Sequence, residues 1–214
     1  FIIHILMVKV MGEFKIHNLW PIPVYLSHIE TKQEWKDLIL NLDYERTHIG
    51  NSDISKDRYV LKQLPDLESE INLHCNNYTR KYLKVKKEAE FYMLNSWVNI
   101  HRPNDQAQVH QHGNALLSGV YYPIVPKNSG NLNFHRGNHK NLFDTSILME
   151  YDDYDNTTAE RYEIVVENDL IVIFPSHLEH SVQKNISNQN RYSLAFNYYV
   201  RGEFGKEEYK LEIK

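Results

Sequence analysis

At Glu90 the chain changes its hydrophobic period, and that change constrains the fold more than any other feature. Before it, apolar residues recur at helical spacing. After it, they alternate in short segments broken by turn residues. The alternating segments are Phe91–His101, Gln108–His112, Leu116–Ile124, Gly130–His135, Tyr162–Val166, Leu170–Phe174, His180–Gln183, Tyr192–Val200 and Tyr209–Ile213. Turn signals fall at Pro103-Asn104-Asp105, at Pro126 to Gly130 and across Asn185 to Asn190. An alternating strand buries one face only, so roughly eight of them must close around a shared interior. The expectation is a mainly-β chain, a jelly roll with two or so N-terminal helices packed on one sheet.

The first helix is expected over Gln33 to Leu42, with Trp35, Leu38, Ile39 and Leu42 on one face, Thr31 as its cap and Glu34 in the capping-box position. A second runs from Pro65 to about Lys86, striped by Leu67, Ile71, Cys75, Tyr78 and Tyr82. Phe14 to Tyr25 reads as one or two strands and Tyr44 to Tyr59 as loop. The polar stretch Asn138 to Glu160 has no period and reads as a loop or lid. The whole of 1–214 is expected to form a single domain, with N-terminal strands and supporting helices over 11–90 and the jelly-roll core over 91–214. The natural start is expected near Met11.

Composition excludes several partners. The net charge of -4 gives no basic field for nucleic acid. The basic run from Arg80 to Lys87 reads as a solvated helix end that complements the macrodipole. The apolar Phe1 to Val10 is too short to cross a bilayer and has no secretory flanks. The single cysteine, Cys75, falls on the helix stripe and reads as a core residue. A lone cysteine fits a reducing compartment, so the expected location is the cytoplasm.

Chemistry concentrates in three places. His110 and His112 alternate and so share one strand face; His180 arrives on a distant strand after Phe174-Pro175; Arg191 and Ser193 follow on an alternating strand. Imidazole is the commonest ligand for divalent transition metals, and three on one face leave coordination positions open. Arg191 and Ser193, with Asn197 continuing their face, can hold the far carboxylate of a dicarboxylic keto acid whose other end chelates the metal. Tyr122 alternates with Ser118 and Val120, and its hydroxyl can join that carboxylate. Trp97 and Asn99 share a face of the preceding strand and are placed at the substrate pocket. His112 is either the third ligand or a neighbour of a ligand water. His177 is a candidate outer neighbour of the metal. The other histidines, His101 among them, read as ordinary core or surface residues.

At these residues the chain resembles the non-haem iron(II)- and 2-oxoglutarate-dependent oxygenases, in particular short oxygenase-like proteins of phages and marine bacteria related to prolyl hydroxylases. The resembling segments are Ser96 to Asn99, His110-Gln111-His112, Leu117 to Tyr122, Ser129 to Phe134, Ile173 to His180 and Arg191 to Asn197. The resemblance implies a double-stranded β-helix, iron(II), and dioxygen and 2-oxoglutarate as co-substrates. It further implies hydroxylation of a primary substrate with release of succinate and carbon dioxide. His110 and His180 then take the first and distal ligand positions, and Arg191 with Ser193 forms the 2-oxoglutarate clamp. The superfamily pattern has Asp or Glu where this chain has His112. Kinship with prolyl hydroxylases, and an acidic, Tyr-rich stretch at Tyr151 to Tyr154, point to a basic or peptidic substrate such as a protein side chain.

Two other readings compete. Pro175, His180 and Asn185 resemble the second box of a cupin, which implies a metal-binding protein or dioxygenase that does not use 2-oxoglutarate. A cupin places Glu where this chain has Leu116. A metal-free structural jelly roll is the third reading.

Overall fold

The computed structural model describes residues 16, 19, 21–47, 51–137 and 149–214. Two sheets carry it. The larger has strand order β1-β9-β6-β11-β4-β3-β2, with β12 paired to β11; the smaller has order β5-β10-β7-β8. The strands are β1 (Tyr25–His28), β2 (Tyr44–Arg46), β3 (Asp53–Ser55), β4 (Glu90–His101), β5 (Ala107–His110) and β6 (Leu117–Ile124). They continue as β7 (Leu132–His135), β8 (Arg161–Ile164), β9 (Leu170–Pro175), β10 (His180–Val182), β11 (Arg191–Phe204) and β12 (Leu211–Ile213). Every strand expected after Glu90 is present, displaced by a few residues at its ends. This is a jelly roll of the double-stranded β-helix kind, backed by the helices α1 (Gln33–Leu40) and α2 (Pro65–Asn76).

Alternation along the strands divides the core in two. Val98, Leu117, Tyr121, Ile171, Ile173, Leu194, Phe196 and Tyr198 face the helices and pack with Trp35, Ile39, Leu67, Ile71 and Cys75. Tyr122, Leu132, Phe134, Leu170, Val172 and Phe174 fill the barrel interior. Gly119 lies opposite Phe196, and a Cβ there would come within 2.3 Å of that ring and 2.8 Å of the Val172 carbonyl. The close approach of ring to backbone therefore requires glycine at this position.

Four expectations change. Tyr44 to Tyr59 contains the two strands β2 and β3, which extend the sheet beside β4. Three-residue strands are too short to show a period, and these are tied down by Arg46, which pairs with Asp53 at 3.1 Å and Asp105 at 2.6 Å. Thr31 does not cap α1: its backbone N–H donates to the Asp169 carboxylate at 2.9 Å and its hydroxyl contacts Asp169 and Tyr121, while Lys32 precedes the helix without a side-chain cap. α2 gives way after Asn76 to a π-helical turn over Asn77–Tyr82, where the Thr79 hydroxyl donates to the Cys75 carbonyl and competes with regular helix pairing. The strand expected over Phe14 to Tyr25 falls largely outside the described residues; within them, strand begins at Tyr25. Among the described residues no helix is long and apolar enough to cross a membrane. Cys75 is buried, which pushes its thiol up to about 12.

Candidate active site

β5 and β10 pair antiparallel with His110 directly opposite His180, so both imidazoles enter the barrel from the smaller sheet. His112 reaches the same point differently. The sequence places it on one strand with His110, but the strand ends at His110 and His112 lies in the following turn, its N–H donating to the Ser176 carbonyl at 3.1 Å. The three rings still converge. Their centroids are 4.3 Å (His110–His180), 5.0 Å (His112–His180) and 5.4 Å (His110–His112) apart, and one ligand nitrogen from each lies within 4.8 Å of the others.

Each ring is held by its Nδ1. His110 Nδ1 is 2.8 Å from the Gln108 carbonyl, His180 Nδ1 is 2.9 Å from the Leu178 carbonyl, and His112 Nδ1 is 2.7 Å from Asn197 Oδ1. Carbonyl oxygens only accept, so each Nδ1 carries the proton and each Nε2 is left with a free lone pair, as a metal ligand requires. Asn197 is itself fixed: Ser118 Oγ donates to its Oδ1 at 2.7 Å, and its Nδ2 donates to Asn95 Oδ1 at 2.9 Å. Burial lowers the His112 pKa and takes that of His180 down to about 3, so both rings are neutral near pH 7. Phe174 and Phe134 wall in His180, and Trp97 lies 5.6 Å from the His112 ring.

From Asn197 the inward face of β11 runs through Ala195 and Ser193 to Arg191. Beside it, β4 presents Asn95, Trp97, Asn99 and His101 in register. Arg191 has no exposed surface. Its Nη1 donates to the Gly130 carbonyl at 2.8 Å and its Nη2 to His101 Nδ1 at 2.9 Å; its Nε has no partner. Among the described residues no carboxylate pairs with it. Burial lowers its pKa, but a guanidinium stays charged. The Tyr122 ring lies 5.9 Å from its Cζ, and burial pushes that phenol up to about 12, so it keeps its proton. A lone buried cation costs several kcal/mol unless an anion joins it. The inward face of β11 thus carries a buried cation with no paired anion among the described residues, and three imidazoles converge from the smaller sheet and the turn beside it.

The structure brings together His110, His112 and His180, and separately Arg191 and Tyr122. Ser193 lies between these groups on the same inward face, opposite Asn99. Asn197, expected beside the co-substrate, instead holds His112. His177 is exposed. Asn185, the cupin-like residue, organises a turn: its Nδ2 donates to the His101 and Gln189 carbonyls, both at 2.8 Å. A cleft of about 780 Å³ lies away from the imidazoles on the outer face of the smaller sheet, lined by Arg136 and Arg161 as well as Tyr151, Tyr154 and Glu160. The Tyr-rich segment therefore adjoins cations as well as acids, and residues 138–148 of the expected lid lie outside the described residues. The sequence reading gave Ser118, Ser176 and His101 no role in the site; alternation from Trp97 and Asn99 was the signal that could have found His101.

Residues 95–197 match the model of a family described as "Putative 2OG-Fe(II) oxygenase", and that stretch contains every residue of the site just described. The chain is a 2-oxoglutarate- and iron(II)-dependent oxygenase. Iron(II) is its metal and 2-oxoglutarate its co-substrate, and His110, His112 and His180 could hold the iron. Solved structures share the fold. They include a 2OG-Fe(II) oxygenase family oxidoreductase from Burkholderia pseudomallei (15% identity, TM-score 0.54, covering 77% of this chain and 76% of that one). Another is HygX from Streptomyces hygroscopicus, solved with nickel and 2-oxoglutarate (11%, 0.56, 83% and 82%). A third is a Pseudomonas putida prolyl-4-hydroxylase (13%, 0.50, 85% and 94%). No curated protein sequence matches the chain.

Proposed function

We propose that the enzyme hydroxylates a C–H bond of its primary substrate: substrate, 2-oxoglutarate and O2 become hydroxylated substrate, succinate and CO2. One oxygen atom enters the new hydroxyl and the other enters the succinate carboxylate. The observation that carries this reading is the fully buried Arg191, which pairs with no carboxylate among the described residues, on the inward face of β11, with three histidines converging from the smaller sheet and the turn beside it. Bound there, iron(II) and 2-oxoglutarate supply the dioxygen chemistry. The protein's part is positional. The Gln108 and Leu178 carbonyls and Asn197 aim three Nε2 lone pairs inward; Arg191 anchors the far carboxylate, with Ser193 and Tyr122 beside it; Phe134 and Phe174 keep water from the His180 side. Trp97 and Asn99 line the passage between the two ends.

For the primary substrate we favour a protein or peptide side chain. His110 and His112 are partly exposed, so this side of the triad opens to solvent, and a prolyl-4-hydroxylase shares the fold. The single buried cysteine supports placement in the cytoplasm.

Succinate formation tests the reaction. Purified protein with iron(II), ascorbate and 2-oxoglutarate should release succinate, and Arg191→Met should lower that rate by about a hundredfold, the scale of a lost charge-assisted bidentate contact. Succinate formation that ignores iron, or survives Arg191→Met intact, contradicts the proposal.

A further inference from the structure

β8 is the last strand of the smaller sheet and pairs only with β7. The Arg136 N–H donates to the Glu160 carbonyl at 3.0 Å, and the same register runs on with Phe134 opposite Tyr162 and Leu132 opposite Ile164. Alternate residues of an antiparallel pair exchange the hydrogen bonds. Glu160, Tyr162 and Ile164 therefore turn their N–H and C=O groups toward β7, and those of Arg161 and Glu163 face away from the sheet, where no described residue takes them up. An open edge of this kind is a template for another strand, and proteins commonly blunt it with proline, a bulge or repelling charges. β8 has no proline, its pairing with β7 has no bulge, and Arg161, Tyr162 and Glu163 are all exposed.

The order of the charges selects a partner. A second copy of β8 can lie antiparallel along this edge only about a two-fold axis that passes through a residue, because an axis between residues sets edge-facing backbone groups against groups already bonded to β7. An axis at Arg161 opposes two arginines, and one at Glu163 opposes two glutamates. An axis at Tyr162 sets Arg161 against Glu163 on both sides of it, and these are the residues whose main-chain groups are free. The Glu163 carboxylate is already positioned, since it accepts from Asn131 Nδ2 at 3.0 Å and from Gln183 Nε2, and it has acceptor sites to spare. Tyr162, 53% exposed, then meets its own copy in the close, non-hydrogen-bonded position, where cross-strand aromatic pairs are favourable.

We propose that the protein forms a two-fold dimer through β8, with Arg161 opposite Glu163 of the second copy and the two Tyr162 side chains in contact at the axis. The two smaller sheets become one continuous sheet. His110, His180, Phe134 and Tyr162 are consecutive cross-strand partners in one row, and the seam continues that row into its copy. At about 4.8 Å per strand the two His180 residues stand roughly 24 Å apart.

Sedimentation velocity over a wide concentration range tests the association. The purified protein should shift from monomer to dimer as concentration rises. Arg161→Glu should weaken the dimer by about tenfold to a hundredfold, since it turns both opposite-charge pairs into like-charge pairs. Adding Glu163→Arg to that variant should restore the dimer, because the swap recreates both pairs. Melting curves check that each variant is folded. Disulfide capture tests the register, and the chain's one native cysteine, Cys75, is buried. Tyr162→Cys places two thiols on Cα atoms about 4.5 Å apart, within disulfide reach, and mild oxidation should trap a covalent dimer. Val165→Cys stands roughly 20 Å along the strand from its counterpart and should stay uncoupled. A protein that remains monomeric throughout, a dimer indifferent to Arg161→Glu or not restored by the swap, or Val165→Cys coupling as readily as Tyr162→Cys overturns the inference.

Discussion

On β11, Leu194, Phe196 and Tyr198 turn toward the helices, while Arg191, Ser193 and Asn197 turn into the barrel. The helix side is apolar and its polar atoms are matched: the Tyr198 hydroxyl donates to Asn72 Oδ1 at 2.6 Å, and the Tyr121 hydroxyl reaches the Ile29 carbonyl at 3.2 Å. The barrel side is as deeply buried but leaves Arg191 Nε and His101 Nε2 unmatched. Folding alone explains the first face, because burying large apolar side chains stabilises the sheet against α1 and α2. It does not explain the second, where burial is unfavourable until a ligand arrives. Alternate residues of one strand therefore serve separate ends, one stability and the other binding.

Substitutions on the two faces should move stability in opposite directions, and this is the largest effect expected. Phe196→Ala should cost the metal-free protein about 3–5 kcal/mol in urea unfolding, as truncating a core aromatic does. Arg191→Met should cost nothing or add about 1–4 kcal/mol, since it replaces an uncompensated buried charge with an apolar chain. Equal destabilisation by the two would erase the distinction between the faces.

Asn197→Leu sharpens the comparison inside the barrel. It removes the acceptor of the His112 Nδ1 proton while leaving the ring in place. Iron(II) affinity, measured by competition with a chelator, should fall by about 10- to 100-fold. An unchanged affinity would mean that His112 is oriented by the Ser118 hydroxyl alone, 2.9 Å from its Nδ1, or is not a ligand.

The smallest effect is in pH. Burial lowers the folded-state pKa of His101, and shifts in the same direction affect His74, His112, His135 and His180. The unfolded chain takes up these protons near pH 6.5 and the folded protein refuses them, so stability is complete above that pH and is lost as pH falls toward the folded values. In metal-free protein, His101→Gln should reduce that slope by at most one proton, about 1.4 kcal/mol per pH unit. Arg191 and Arg46 are the charges that act on His101, and a slope unchanged by His101→Gln would mean that the ring is protonated in the folded state.

Much of this arrangement could be read from residue order. Alternation alone put Trp97 and Asn99, Ser118 and Tyr122, and Arg191 and Ser193 on inward faces, and the strands after Glu90 followed from their turn residues. What escaped was settled by contacts between distant segments. β2 and β3 are too short to show a period and depend on Arg46 meeting Asp105. Thr31 looks like a helix cap until Asp169, far along the chain, claims it. Asn197 lies on the right face, but only the turn that brings His112 to it reveals its role. His101 looked ordinary because a residue's lack of a partner is a property of three dimensions.

The most direct measurement is an anaerobic titration of 2-oxoglutarate into the iron(II) protein. A single equivalent should bind and raise a metal-to-ligand charge-transfer band, and the band should vanish in His180→Ala and weaken sharply in Arg191→Met. A protein that binds no iron, or that binds 2-oxoglutarate equally well without His180 and Arg191, would contradict the account at its root.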